Sequence, residues 1–168
     1  MARGDTDADR AITEIYTHHY GGFVRLATLL VRDQSVAEEV VQDAFVELHK
    51  RWRKLRDTHA AVSYVRTSVV HRSRSVGRRR AVAARHQDDR PIDAPSAEHG
   101  ALQAVAGQAV VAALRTLPVR QREALVLRYY ADLSEGDIAD VMGISRGAVK
   151  SHTSRGMTAL RARLEEWS

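Results

Sequence analysis

The chain has no cysteine among its 168 residues, only three prolines, and aromatic side chains at just 5%. Without thiols, neither a disulfide framework nor a thiolate metal site can form. With so few rings, any core must be built from aliphatic side chains, and Ala, Val and Leu are abundant enough to do it. Alternation of β-branched and polar residues is hard to find anywhere along the chain, which removes sheet architectures and predicts an all-α protein. No apolar run approaches the roughly 20 residues of a membrane span. The leading MARGDTDADR has no hydrophobic segment behind its charges, so neither a secretory signal nor membrane insertion is expected and the chain is placed in the cytoplasm.

Acids are also missing, but only locally. From Thr58 to Gln87 there are seven arginines, three histidines and no Asp or Glu, so this stretch carries +7 of a net charge of +5 and the remainder sums to −2. A field concentrated in this way implies a docking surface for a polyanion. At 44% hydrophobic residues the chain can fill one ordinary core or two small ones.

The densest pattern lies near the C-terminus, in SEGDIADVMGISRGAVKSHTSRGMTALRARL. Ser134 followed three residues later by Asp137 has the form of a capping box, opening a helix that turns Ile138, Val141 and Met142 inward. Gly143 stops that helix, Ile144 plugs the turn, and Ser145 is a natural N-cap for a second helix from Arg146. There Val149, Thr153, Gly156 and Leu160 recur at spacings of four, three and four and form the inner stripe. The opposite face shows Arg146, Gly147, Lys150, Ser151, Ser154 and Arg155: cations for phosphates, short donors for base edges, and a glycine that allows close approach. A solvated helix hairpin could carry a basic face without function, but the order of cap, Gly turn and second cap favours a DNA-binding helix-turn-helix. Ahead of it, Leu102, Val105, Val110, Val111 and Leu114 suggest one helix. Leu117-Pro118 then starts another, with proline in the first turn and Leu125, Val126 and Tyr129 inward.

The first half is a separate helical block. Ile12, Ile15, Tyr16, Phe23, Leu26, Ala27 and Leu30 recur at helical spacing, with Gly21-Gly22 a candidate bend. Ser35 with Glu38 has the form of a second capping box, opening a helix with Val36, Val40, Val41, Ala44, Phe45 and Leu48 on its apolar stripe. Its other face is acidic, through Glu38, Glu39, Gln42, Asp43 and Glu47, which solubility alone would explain. A third helix from about Thr58 carries Val62, Val65, Val69, Val70 and Val76 beside the arginine cluster. Trp52 extends the stripe from Leu48 and reads as core, whereas Tyr64 could equally stack a base. Between the blocks HQDDRPIDAPSAEHG, with two of the three prolines, reads as a linker. From Ala83 to Val105 an extended tether reaches about 75 Å, or about 22 base-pair rises.

Three segments taken together, AEEVVQDAFVELHKRW (37–52), SYVRTSVVHRSRSVGRRR (63–80) and LPVRQREALVLRYYADLSEGDIADVMGISRGAVKSHTSRGMTALR (117–161), resemble the extracytoplasmic-function (ECF) sigma factors of RNA polymerase. Within that group the chain is most similar to the actinobacterial type often called the SigE family. The resemblance implies two small all-α domains, region 2 over 8–82 and region 4 over 106–168, joined by a flexible linker at 83–105. It gives Glu38, Glu39, Gln42 and Asp43 to the clamp helices of the polymerase β′ subunit, with the β subunit a further partner. The loop at about Leu55 to Ala61 would bracket a flipped base of the −10 element, and Tyr64, Arg66, His71, Arg72, Arg74, Arg78 and Arg79 would hold the melted strand. Arg146, Gly147, Lys150, Ser151, Ser154 and Arg155 would read the −35 element. Asp88, Asp89 and Asp93 would lie in a segment threading the polymerase cleft. No cofactor and no catalytic residue is implied, and an anti-sigma factor is a candidate partner. Two departures stand out: His71 where many relatives have asparagine, and Gly136 inside a helix, at a cost of roughly 1 kcal/mol against alanine.

GAVKSHTSR alone also resembles the LuxR-type regulator helix, so a stand-alone regulator is the main alternative. It would need a ligand pocket or phospho-acceptor domain, and the first block shows neither pattern. An enzyme is disfavoured: His18 and His19 point about 100° apart on a helix, unsuited to joint metal ligation, and no HExxH, phosphate loop or nucleophile motif occurs.

Overall fold

A computed structural model of the chain describes the backbone of residues 2–55, 57–84 and 101–168. Its elements are all helical: α1 (Ala2–Val31), α2 (Gln34–Leu55), α3 (Thr58–Ala84), α4 (Ala101–Thr116), α5 (Val119–Leu125) running into a π turn (Val126–Tyr130), α6 (Glu135–Met142) and α7 (Arg146–Glu166). They form two compact units, Met1–Asp93 and Ala94–Ser168. The all-α expectation holds for the described residues.

In the first unit α1, α2 and α3 pack on one another. Ile15, Phe23, Leu26, Ala27 and Leu30 of α1 are buried against Val40, Val41, Ala44, Phe45 and Leu48 of α2 and Ala61, Val65, Val69 and Val70 of α3. Both phenylalanines of the chain sit here, 6.2 Å apart, with the Tyr16 ring edge-on to Phe45 at 5.0 Å. Each buried aliphatic or aromatic side chain contributes roughly 1.5 to 3 kcal/mol. That explains why the bend considered at Gly21-Gly22 does not form: α1 runs unbroken through both glycines, because burying Phe23 and Leu26 outweighs about 1 kcal/mol of lost propensity per glycine.

The capping box expected at Ser35 is also corrected. α2 begins at Gln34, and the side chain that serves its first turn is Asp33, whose Oδ1 accepts a hydrogen bond from the Val36 amide at 3.1 Å. Only Arg32 and Asp33 separate α1 from α2. Arg32 takes the tight turn at φ 63°, which leaves Asp33 as the one residue able to cap. Asp57 opens α3 in the same manner, accepting from the His59 amide at 3.1 Å. α3 thus starts at Thr58, as its periodicity predicts, so residues 58–61 of the loop that the resemblance implies are helical. Trp52 is half-buried.

In the second unit α7 is the spine against which α4, α5 and α6 pack. Pro118 stands just outside α5 as its N-cap, and its carbonyl accepts from the Arg122 amide at 3.0 Å. The missing N–H of proline costs nothing at that position. The inward pattern then slips: Tyr129 is 63% exposed while Leu127 is fully buried. The cause is the π turn, in which the Ala131 amide reaches back five residues to the Val126 carbonyl at 3.0 Å, so the inserted residue rotates all that follows. Val110, also expected inside, is exposed. Gly156 lies where α7 crosses α5; a Cβ there would stand 3.1 Å from Leu125 Cδ1 and 3.3 Å from Gln121 Cβ. Most of the stretch read as a linker, with Asp88, Asp89 and Asp93, lies outside the described residues, as do the side chains of Leu102 and Val105.

Candidate nucleic-acid interface

The helix-turn-helix is assembled as its residues dictate. Ser134 caps α6, its Oγ accepting from the Asp137 amide at 3.1 Å. Gly143 ends the helix in the left-handed region at φ 66°, a conformation that costs glycine little. Ser145 caps α7 by accepting from the Ala148 amide at 3.1 Å. Arg120 of α5 donates to the Met142 carbonyl at 3.2 Å, tying the C-terminal end of α6 to the unit. Val149 and Gly156 are buried and Thr153 and Leu160 are half-buried, while Arg146, Gly147, Lys150, Ser151, Ser154 and Arg155 are all exposed on the opposite face. Lys150 is lightly held there by Glu135 at 3.8 Å. An exposed pair of this kind is worth at most about 1 kcal/mol and yields readily to a phosphate.

The basic helix α3 is sorted by its packing. His71, Arg78 and Arg79 are exposed, and Tyr64, Arg66 and Arg72 are half-buried. Arg51 of α2 sits 5.8 Å over the Tyr64 ring, a cation–π contact that occupies one face of a ring considered for stacking. Arg72 Nε donates to Ser68 Oγ at 3.2 Å, fixing the head of that side chain. Arg74 departs from expectation: it is only 7% exposed. It follows the buried Val70 by one helical turn and Ser73 by one residue, and so falls on the packed stripe rather than the basic face. It cannot meet a strand without leaving the core. Arg80 of the same cluster donates to the Val31 carbonyl at 3.1 Å and to Asp33 Oδ2 at 3.3 Å, so it closes the α1–α2 turn.

On α2, Glu39, Gln42 and Asp43 are exposed and Glu38 is half-buried, bonded through Oε1 to Gln34 Nε2 at 3.3 Å. The face extends in two directions that sequence reasoning missed. Val46 follows Glu39 by seven and Gln42 by four and is 54% exposed, an apolar residue in an otherwise polar stripe. That spacing was the available signal. From α1, Tyr20 hydrogen-bonds the Gln42 side chain; burial pushes its phenol above the ordinary value, against the lowering effect of that hydrogen bond and helped by Tyr16 and Glu38 nearby. Nothing in the pattern of α1 alone points to that contact, which exists only because α1 and α2 pack together.

The chain matches the family model of sigma-70 region 2 over residues 15–82 and that of sigma-70 region 4 over residues 107–160. It is 30% identical to the RNA polymerase sigma-E factor of Streptomyces avermitilis over 84% of this chain and 78% of that protein. It is 31% identical to the ECF RNA polymerase sigma factor SigM of Mycobacterium tuberculosis, over 92% of this chain and 75% of that protein. Among solved structures, the sigma factor RpoE in complex with the anti-sigma factor NepR from Bartonella quintana superposes with a TM-score of 0.72 at 22% identity, covering 91% of this chain and 96% of that one. With a three-helix unit matching region 2, a helix-turn-helix unit matching region 4, and actinobacterial relatives spanning both, the chain belongs to the ECF sigma factors of RNA polymerase.

Proposed function

We propose that the acidic face of α2 docks on the clamp helices of the β′ subunit, that the exposed basic face of α3 holds the melted −10 strand, and that α7 reads the −35 element in the major groove. The observation that carries this is the division of charge within one small unit. Glu39, Gln42 and Asp43 stand on one helix, and an acid-free helix exposing His71, Arg78 and Arg79 packs beside it. In a protein that met only duplex DNA the acidic face would serve solubility alone, and a protein that met only another protein would have no use for the cationic one. An initiation factor needs both, because it must hold polymerase and an opened strand at once.

In this scheme the polymerase-binding set is Glu38, Glu39, Gln42 and Asp43, with Val46 as an apolar centre. The strand-binding set is Tyr64, Arg66, His71, Arg72, Arg78 and Arg79; Arg74 supports it from the core. The duplex-reading set is Arg146, Gly147, Lys150, Ser151, Ser154 and Arg155. Region 2 then occupies 8–82, the tether 83–105, whose ends at 83–84 and 101–105 belong to α3 and α4, and region 4 106–168. The chemistry of RNA synthesis belongs to the polymerase, this chain needs no cofactor for its part, and its place of action is the cytoplasm. Capture of the Bartonella relative with an anti-sigma factor supports a comparable inhibitory partner here.

The test is run-off transcription with purified actinobacterial core polymerase and fragmented genomic DNA from the host. Transcripts starting at discrete sites only when this chain is added are the expected result. Absence of such transcripts, with the chain still binding duplex DNA, would overturn the roles proposed for the faces of α2 and α3.

A further inference from the structure

The first turn of α6 contains a glycine, and α7 makes use of the missing side chain. A Cβ at Gly136 would lie 2.7 Å from Nη2 of Arg146, 3.2 Å from its Cζ and 3.3 Å from its Nε. All three atoms belong to one guanidinium, which is therefore laid against the bare backbone of α6. Arg146 is the first residue of α7, and it remains exposed. One position earlier, Glu135 stands 3.8 Å from Lys150. Successive residues of one turn thus engage two cations that project from the first two turns of α7.

We propose that Gly136 is a positioning residue: lacking a Cβ, it seats the Arg146 guanidinium across the first turn of α6, where it meets a backbone phosphate of duplex DNA. This rests on α7 being the duplex reader. In helix-turn-helix complexes the first helix crosses the sugar–phosphate backbone while the second enters the groove, so a cation parked on α6 faces phosphate rather than a base edge. A guanidinium takes phosphate through two parallel N–H donors, which requires that its plane be held. A seated arginine also loses less rotamer freedom on binding than a free one.

Substituting Gly136→Ala separates this role from a structural one. The atoms in the way are the far end of a flexible side chain, so the backbone can stay and the guanidinium must move. Alanine also has the stronger helix preference. Stability therefore holds or rises while DNA binding falls. The experiment compares Gly136→Ala, Arg146→Ala, Lys150→Ala and the Gly136→Ala/Arg146→Ala double variant of the full chain, by thermal melting and by binding across a salt series to a duplex that the unmodified protein selects from a randomised pool.

Arg146→Ala should make the slope of log K against log salt shallower by about 0.9, the value of one phosphate contact. Gly136→Ala should reproduce most of that change with an equal or higher melting temperature, and the double variant should bind no worse than Arg146→Ala alone. Unchanged binding by Gly136→Ala beside a weakened Arg146→Ala would overturn the seat while leaving α7 as the reader. Additive losses in the double variant, or a lower melting temperature for Gly136→Ala, would also overturn it. An Arg146→Ala protein with an altered preferred sequence and an unchanged slope would mean a base contact instead. If neither Arg146→Ala nor Lys150→Ala affects binding, α7 is not the reader and the seat has no purpose.

Discussion

Single residues in this chain do their work through what packs against them. Tyr20 ties α1 to Gln42 on the acidic face of α2, and burial raises its phenol above the ordinary 10.0. A raised folded-state value means that the fold favours the neutral phenol, so stability is whole below the unfolded value and declines as pH climbs through the folded one. Relative to Tyr20→Phe, the unmodified chain should thus lose stability more steeply above about pH 10, with no such difference at neutral pH. Chemical denaturation of both proteins between neutral and strongly alkaline pH is the measurement, and parallel curves would contradict it. Gly156 is the opposite case, a residue whose value is its absence of atoms. With Leu125 Cδ1 3.1 Å and Gln121 Cβ 3.3 Å from where a Cβ would stand, Gly156→Ala should cost about 1 to 3 kcal/mol by overpacking, despite alanine's better helix propensity. A melt monitored within the second unit reads this directly.

Elements carry the surfaces. On α2 the exposed side chains Glu39 and Asp43 stand one turn apart, half a cylinder away from the buried Val41, Ala44 and Leu48. Reversing both to lysine should abolish co-purification with core polymerase while changing stability by less than about 1 kcal/mol, since exposed charges contribute little to folding. Polymerase binding that survives the reversal would leave the face with a solubility role only. On α3, burial separates one arginine from the rest. Arg74 is buried, so its replacement disturbs the unit and says nothing of strands. The informative variants are those at Arg78 and Arg79, which point into solvent.

At the scale of the molecule, function lies in the order of events. In the proposed scheme duplex recognition belongs to the second unit and strand capture to the first, and their contributions should therefore be separable. Alanine at His71, Arg78 and Arg79 should leave protection of the −35 region in place while permanganate reactivity of the −10 thymines falls. Affinity for a promoter with a pre-melted −10 bubble should fall together with that reactivity, by about 1 to 3 kcal/mol if one base loses its stacking support. Undiminished opening would deny α3 its role in holding the strand.

How much of this was present in the order of residues differs by element. The helix-turn-helix was wholly legible, because its signals are local: Ser134 and Ser145 cap within three residues, and Gly143 takes a left-handed turn that needs no distant contact. Charge was legible for the same reason, since the acid-free run from Thr58 to Gln87 is a property of the chain itself. Three things were settled only by tertiary packing. Gly21-Gly22 became mid-helix because α2 and α3 bury the residues that follow. Tyr129 turned outward because a π turn shifted the register after Leu125. Arg74 went inside, and Arg80 to the α1–α2 turn, although in sequence they are indistinguishable from Arg78 and Arg79. Helical periodicity tells which residues share a face, but which arginine a neighbouring helix covers depends on where that helix lies, and only the assembled three-helix unit fixes it.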